Sequence, residues 1–550
     1  MKKLRIFTAA LAATALALSA CSSSESGDSK GGDSAGASDA VISVNNTEPQ
    51  NPLIPANTNE TGGGLIVDNI YAGLQYYDAE GNPQLEMAES IETEDNQTYT
   101  ITLKADQVFT DGSPVNAESF VNAWNQAVEH NMLNSYFFEG IAGYDESLAA
   151  AEAAVEAGGV GDVPMSGLVV VDDLTFTVEL KQAEADFPLR LGYSAFYPLP
   201  EAGIGDPETV AAFGANPIGN GPYMVKEGSW EHNVQIELVP NPDYTGDRQP
   251  QNGGILMKFY SQQDAAYNDL LSGQLDVLDA IPDSAFGTFE AELGDRAVNE
   301  PSAIFQSFTI PESLEHFSGE EGDLRRQAIS MAINREEITE TIFQGTRTPA
   351  SDFVAPVIPG HNENLAGNEV LQYNPEKAAE LWAEADAINP WTGTFQIGYN
   401  SDGGHQAWVD AVANQLKNNL GIDASGAPYP DFKSLRDEVT NRTITTAFRT
   451  GWQADYPSAY NFLAPLYATG ASANDGDYSN AEFDQLLKDA MNVEDPADAQ
   501  QYYDQAQEIL LKELPAFPLW YSNVVGGSAE GVENVQFGWN SKPILHEITK

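Results

Sequence analysis

Apolar and polar residues alternate in several short stretches. Tyr99, Ile101 and Leu103 interleave with Thr98, Thr100 and Thr102, the period of a half-buried strand. Phe176, Val178 and Leu180 repeat the pattern, as do Val234, Ile236 and Leu238. Other stretches carry helical signals. Asn374-Pro375 predicts an N-cap with proline at the first helical position, ahead of Leu381, Trp382 and Ala385. Ser479 with Glu482 predicts a capping box before Phe483, Leu486 and Leu487. Asn334 with Glu337 forms a similar pair, with Gly345 as its C-cap, and Gly421 closes a helix over 407–420. The Ala/Glu-rich stretch 148–161 reads as an exposed helix and loop. Strands and helices interleave from Val41 onward, which predicts an α/β or α+β class. No internal repeat is visible, and 550 residues imply more than one domain.

Before Val41 the pattern is different. Lys2, Lys3 and Arg5 precede an apolar run from Ile6 to Leu18. That run is short of the ~20 residues needed to span a bilayer and has the layout of a secretory signal. It ends in Leu18-Ser19-Ala20-Cys21, which resembles the lipobox of bacterial lipoproteins. The resemblance implies removal of residues 1–20 and diacylglyceryl attachment to the Cys21 sulfur. The Ser/Gly/Asp-rich stretch 22–39 then reads as a flexible tether, with a root-mean-square span of roughly 25 Å. The expected location is the outer face of the cytoplasmic membrane, lipid-anchored, at the cell surface or in the periplasm.

Composition narrows the chemistry. There are 82 acidic and 25 basic residues, a formal net charge of −57. Such a surface repels phosphate backbones and anionic headgroups, which excludes nucleic acid as a partner. Cys21 is the one cysteine, so no intrachain disulfide, thiolate zinc cage or iron–sulfur cluster is available. The six histidines are scattered without helical metal-ligand spacing, and neither a metal nor a cofactor is expected. Gly-x-Ser-x-Gly, Ser-x-x-Lys, His-Glu-x-x-His, P-loop and dinucleotide-binding patterns are absent. An EF-hand-like loop around Asp475, Gly476 and Glu482 has alanines at 471 and 473, where calcium needs oxygen ligands.

Seven segments, in order along the chain, carry a family resemblance. They are Glu48-Pro49-Gln50-Asn51-Pro52-Leu53; Tyr71–Leu74 with Gly81-Asn82-Pro83 and Met87–Ser90; Phe109-Thr110-Asp111-Gly112 through Glu118; Gly219-Asn220-Gly221-Pro222-Tyr223; Leu324-Arg325-Arg326-Gln327-Ala328-Ile329 through Arg335; Gly451-Trp452-Gln453-Ala454-Asp455-Tyr456-Pro457; and Pro515–Leu519. Together they resemble the dipeptide/oligopeptide-binding family of ABC-transporter extracellular solute-binding proteins, in lipoprotein form. Two departures stand out: Asn220 replaces a threonine, and Pro49 and Pro52 remove two backbone donors from what resembles the family's opening strand.

The resemblance implies an α/β, bilobal periplasmic-binding-protein-like clamp with an extra inserted domain. Lobe I would comprise 41–60, 214–303 and 524–550, the inserted domain 61–213, and lobe II 304–523. The ligand would be a short peptide lying extended between the lobes and paired through its backbone, as in strand addition. Gly451 and Gln453 match the family's main-chain partners on one side, Glu48 and Gln50 on the other. Asp455 matches the aspartate that accepts the ligand's α-ammonium; its plainer reading is a turn cap before Tyr456 and Pro457. Arg449 matches an arginine that meets the carboxylate of short peptides, or it is a surface or interlobe salt bridge. Arg442 is a second arginine candidate at a different spacing. Trp452 packs on the ligand or walls the cleft, and Arg325 and Arg326 read as helix-surface or interlobe residues. No catalysis is expected. The protein would be a monomer that closes on its ligand and presents it to an ABC permease. The rivals are a receptor of the same fold for an oligosaccharide or metal chelate, and a surface hydrolase.

Overall fold

Two strands of 13 residues each, Ala297–Thr309 and Ala516–Ser528, organise the structure. It is a computed structural model that describes residues 38–550 except 157, 158, 472 and 494. The signal-like segment and Cys21 lie outside the described residues. The two long strands pair antiparallel: 297–301 faces 523–527, 304–309 faces 516–522, and the register breaks between Pro301 and Ile304. That break separates two hydrophobic cores. One gathers residues between Ile42 and Leu293 and between Val524 and Ile548, with Tyr456; the other gathers residues between Ala303 and Tyr521, with Ala185 and Trp539. Both long strands therefore run from one core into the other.

The same pair lies at the centre of a mixed sheet that continues into both halves. On one side follow Val277–Leu278, Val41–Asn46, Gly254–Phe259, Gln235–Pro240 and Tyr223–Val225; on the other, Ala447–Gln453, Thr394–Asn400 and Asp423–Tyr429. A separate four-stranded sheet runs Ala88–Thr93, Thr98–Leu103, Thr175–Glu179, Leu168–Asp172. Its inward residues Tyr99, Ile101, Phe176 and Val178 are those the period-2 pattern selects, each at most 1% exposed. Val234 falls just outside its strand and is exposed. The halves also touch away from the long strands. The Ala185 N–H donates to the Met491 carbonyl at 2.8 Å, and the buried Arg190 pairs with Glu184 at 2.7 Å beside the Tyr456 and Tyr460 rings.

Helix ends follow local chemistry. Asn374 caps Pro375–Ile388 through the Lys377 N–H, Asn334 caps Arg335–Thr341 through the Glu337 N–H, and Gly421 ends Gln406–Leu420 at φ 70°. The Ser479–Glu482 capping box is not formed. Asn480 takes that place and accepts from the Glu482 and Phe483 N–H groups, because its carboxamide sits one residue closer to the helix Ala481–Met491. The helix before Gly345 stops earlier, at Thr341.

Arg325 and Arg326 are not surface or interlobe residues: they are 0% and 2% exposed. The Arg325 guanidinium lies 4.4 Å from the Trp382 ring and pairs with Glu321 and Asp386. Arg326 donates to the Ile310 and Leu514 carbonyls at 3.0 Å. Ring stacking and acidic partners offset the cost of burying Arg325, whose Nη1 is left without an acceptor, and carbonyl acceptors do so for Arg326.

The Asn220 departure has a structural reason. Its carboxamide accepts the Ala72 N–H at 3.0 Å through the oxygen and donates to the Ala72 carbonyl at 2.9 Å through the nitrogen, a two-atom fork that a threonine's single hydroxyl oxygen does not have. The flanking glycines let the two chains approach. A Cβ on Gly219 would lie 1.9 Å from the Ile70 carbonyl oxygen, and one on Gly221 2.6 Å from the Tyr71 nitrogen. Gly219→Ala is expected to destabilise the fold by ~3 kcal/mol, because backbone rather than a flexible side chain must shift. Chemical denaturation of both proteins measures this. An unchanged midpoint removes the close-approach argument.

Candidate functional site

The Ala447–Gln453 strand begins inside the sheet and ends at an open edge. On one side it pairs with the long strand from Thr309↔Phe448 to Ile304↔Gln453. On the other, the parallel strand Thr394–Asn400 reaches only Ala447 and Phe448. From Arg449 to Gln453 no strand among the described residues occupies that side, and Gly451 and Gln453 are exposed. The backbone of Gly451–Gln453 is open on this side to an extended chain, while the Thr450 carbonyl accepts from the Gln306 side-chain amide.

The strand leads into a cavity of ≈ 320 Å³. One wall comes from the second half: Gln453, Ala454 and Asp455. The opposite wall comes from the first: Tyr76, Tyr77, Tyr193 and Tyr197, with Asp68 and Arg248, and Trp539 and Lys542 from the C-terminal segment. The site is thus a cleft between the halves, rich in tyrosine rings.

Asp455 lies two residues beyond the strand's open end at Gln453, half-buried. Helix Ala459–Tyr467 positions it through Asn461. The Asn461 Oδ1 accepts the Asp455 N–H at 2.9 Å and the Trp452 Nε1–H at 3.2 Å, and its Nδ2 donates to Asp455 Oδ2 at 3.2 Å. Burial pushes the Asp455 carboxyl up to about 6, against the Asn461 hydrogen bond, which lowers it. Among the described residues no Lys, Arg or His forms an ion pair with this carboxylate. The cations nearby have other partners: Lys542 pairs with Asp68, and Arg248 with Glu86 at 2.7 Å. Nor does the carboxylate accept a backbone N–H, so the turn-cap geometry is not formed among the described residues. Tyr193 is pushed well above its ordinary range by burial first and the charge of Asp455 second.

The other sequence-selected residues separate. Gly451, Trp452 and Arg449 line a second cavity, of ≈ 240 Å³, inside the second half. Arg449 donates from Nε to Asn400 Oδ1 at 2.9 Å, and its guanidinium lies 4.8 Å from the Phe432 ring. Trp452 also packs against the second core. Arg442 lines neither cavity and is held by Asp477 at 2.9 Å and Asp475 at 3.4 Å.

Glu48 and Gln50 are not strand residues. The strand ends at Asn46, and Pro49 and Pro52, lacking N–H groups, follow it. Glu48 accepts the Asn233 N–H at 2.7 Å and contacts His232 Nδ1 at 2.7 Å; Gln50 is exposed and donates its N–H to Glu60 at 3.3 Å. Neither lines the cleft cavity. Sequence reasoning missed Asn461 and the tyrosine wall. Asn461 follows the helix N-cap Ser458 by three residues, a position the pattern marks as the start of a helix and not as a site.

Residues 82–474 match the family model of the bacterial extracellular solute-binding proteins, family 5. The chain belongs to that family. As a member it is an extracytoplasmic solute-binding protein and not an enzyme, and its fold is the α/β bilobal clamp. This solute-binding protein is 26% identical over 520 residues to the dipeptide-binding protein DppE of Bacillus subtilis, covering 91% of this chain and 90% of the relative. It is 26% identical over 505 residues to the probable deoxycholate-binding periplasmic protein YgiS of Escherichia coli, covering 89% of each. Its fold superposes on the murein tripeptide binding protein MppA of Escherichia coli with a TM-score of 0.72 at 21% identity, over 92% of this chain and 98% of that one.

Proposed function

We propose that this protein captures short peptides between its halves, closes on them and delivers them to an ABC permease. The observation that carries the reading is Asp455: a half-buried carboxylate without a cationic partner among the described residues, at the end of a strand whose edge is open. A peptide supplies both missing partners. Its α-ammonium neutralises Asp455, and its backbone completes the ladder along Arg449–Gln453. Main-chain pairing is common to all peptides, so recognition is broad. Arg449 lies about six residue spacings from Asp455, roughly 20 Å in extended chain, and meets the carboxylate of a peptide of matching length. A dipeptide-binding and a murein tripeptide-binding relative agree with this reading. The deoxycholate-binding relative marks the rival, a steroid carboxylate. Asp455 disfavours it, because a ligand anion there meets like charge in a partly desolvated site.

Lobe I is assigned to 41–60, 214–303 and 524–550, the inserted domain to 61–213 and lobe II to 304–523. The change of core near residues 297–303 and 521–524 supports the lobe boundaries. Native mass spectrometry of gently purified protein tests the ligand class. A co-purifying peptide series supports the reading, and a bile-acid mass overturns it.

We also propose that Cys21 carries the diacylglyceryl anchor. Cys21→Ser is expected to move the folded protein from the membrane to the soluble fraction on ultracentrifugation. Equal membrane retention removes the lipobox reading.

A further inference from the structure

We propose that Trp539 is a positioning residue for ligand capture: it fixes the tyrosine wall against Asp455, so that the amine end of the cleft keeps its shape when the halves move. The inference rests on the peptide reading above and adds to it a residue that acts through Tyr77 and Ala303. The first observation is an exchange of aromatic rings between the cores. Tyr456 stands next to Asp455 on the second half, yet it is buried in the first core. Trp539, on the C-terminal segment of the first half, is buried in the second. Each ring is held in place. Tyr456 lies 5.6 Å from the buried Arg190 guanidinium, and Trp539 meets the Tyr77 ring edge-on at 5.5 Å. Parting the halves at this point would draw both rings out of apolar surroundings.

The second observation is a backbone relay. Pairing of the two long strands lapses between Pro301 and Ile304. There the Ala303 N–H donates to the Trp539 carbonyl at 3.1 Å, and the Ala303 carbonyl accepts the Ala454 N–H at 3.0 Å. The Trp539 N–H in turn donates to the Ala79 carbonyl at 2.8 Å. Ala79 follows Tyr77 by two residues, and Ala454 precedes Asp455. The relay thus joins the tyrosine wall to the anchor carboxylate at the place where the long strands pass from one core to the other. The third observation is close packing. Gly81 has φ 88°, and a Cβ there would lie 3.2 Å from both Trp539 Cγ and Pro457 Cβ. The indole, the turn after Tyr77 and the turn after Asp455 leave room for no side chain between them. Hinge rotation is absorbed by a few residues. Ala303, at a break in pairing inside a long strand, is placed to absorb it. Groups tied to Ala303 then move least when one half turns against the other, and the far end of the cleft moves most.

Calorimetric titration with tetra-alanine and with its N-acetylated form tests this. The ratio of their affinities, taken within one protein, reads how firmly the amine is gripped. Trp539→Leu is expected to lower this ratio roughly ten- to hundredfold against the wild type, the contribution of one hydrogen bond to a charged group. Trp539→Phe keeps a ring against Tyr77 and should hold the ratio within about threefold. Gly81→Ala leaves the indole in the chain but wedges it away from Pro457, and should lower the ratio in the same direction. A tryptophan that only fills the core would weaken both peptides equally and leave the ratio alone. Thermal melting shows whether each variant is folded; should Trp539→Leu not fold, Gly81→Ala decides. If the wild type prefers the free amine but the ratio survives Trp539→Leu and Gly81→Ala, the positioning role is overturned while the peptide reading stands. The same holds if Trp539→Phe falls as far as Trp539→Leu. If the wild type binds the two peptides equally, or binds neither, the amine-anchor reading fails and this inference with it.

Discussion

Asp455→Ala is expected to lower affinity for a free-amine peptide by roughly two to three and a half powers of ten. The cleft wall leaves this carboxylate half-buried with Asn461 as its side-chain hydrogen-bond partner. Closure around a ligand removes water from both ammonium and carboxylate. Deleting one partner strands the other, at ~3–5 kcal/mol for a buried pair. N-acetylation of the peptide deletes the same interaction from the ligand side and should weaken wild-type binding by a comparable amount. The two changes should not add. Calorimetry on two proteins and two peptides reads the coupling directly. If the acetylated peptide binds wild type as tightly as the free one, the amine is held elsewhere.

The same carboxylate sets the pH response. Its unliganded value of about 6 lies above the ordinary 3.8 because burial disfavours the charge. A bound ammonium favours the charged form, so the liganded value is lower. Affinity is therefore flat above about pH 6 and falls by up to tenfold per unit below it, roughly thirtyfold by pH 4.5. Stability of the unliganded protein runs the other way. A raised carboxyl binds its proton more tightly when folded, so its contribution is fully present below 3.8 and is lost as pH rises through about 6. His546, on the same cavity, is pushed down to about 4 by burial first and Arg248 second, which is below most of the window. Glu60, Asp68 and Asp78 also line the cavity, so Asp455→Asn is the control and should flatten the affinity profile above pH 4.5. A slope that survives this substitution assigns the effect to another group.

The sequence announced the site's strand more clearly than its surroundings. Gly451 through Pro457 carried the resemblance, and that segment supplies both the open edge and the carboxylate. The local rules worked where one residue decides: Asn374 and Gly421 at helix ends, Tyr99 and Ile101 on a sheet face. They failed where two neighbours compete, as with Ser479 and Asn480, and where charge is buried in company. Nothing local distinguishes Arg325 from a surface arginine. Trp382, Trp391 and Asp386, which accommodate it, lie 57 to 66 residues further along the chain. Glu48 shows the converse. Its segment resembles a ligand-contacting one, yet its carboxylate is spent on the Asn233 turn, a partner 185 residues away. Long-range pairings of this kind are set by the fold, and a sequence window does not contain them.

The open edge of Arg449–Gln453 has a consequence for the protein's behaviour in a crowded milieu. An unpaired strand edge templates any extended chain, including strands of misfolded neighbours and of other copies of itself. Here it lies beside a cleft walled by tyrosines, on a molecule with a net charge of −57. A single extended chain adds to such an edge through its backbone alone. The edge is thus open to a single extended chain while the shared negative charge keeps other copies of the molecule from pairing along it.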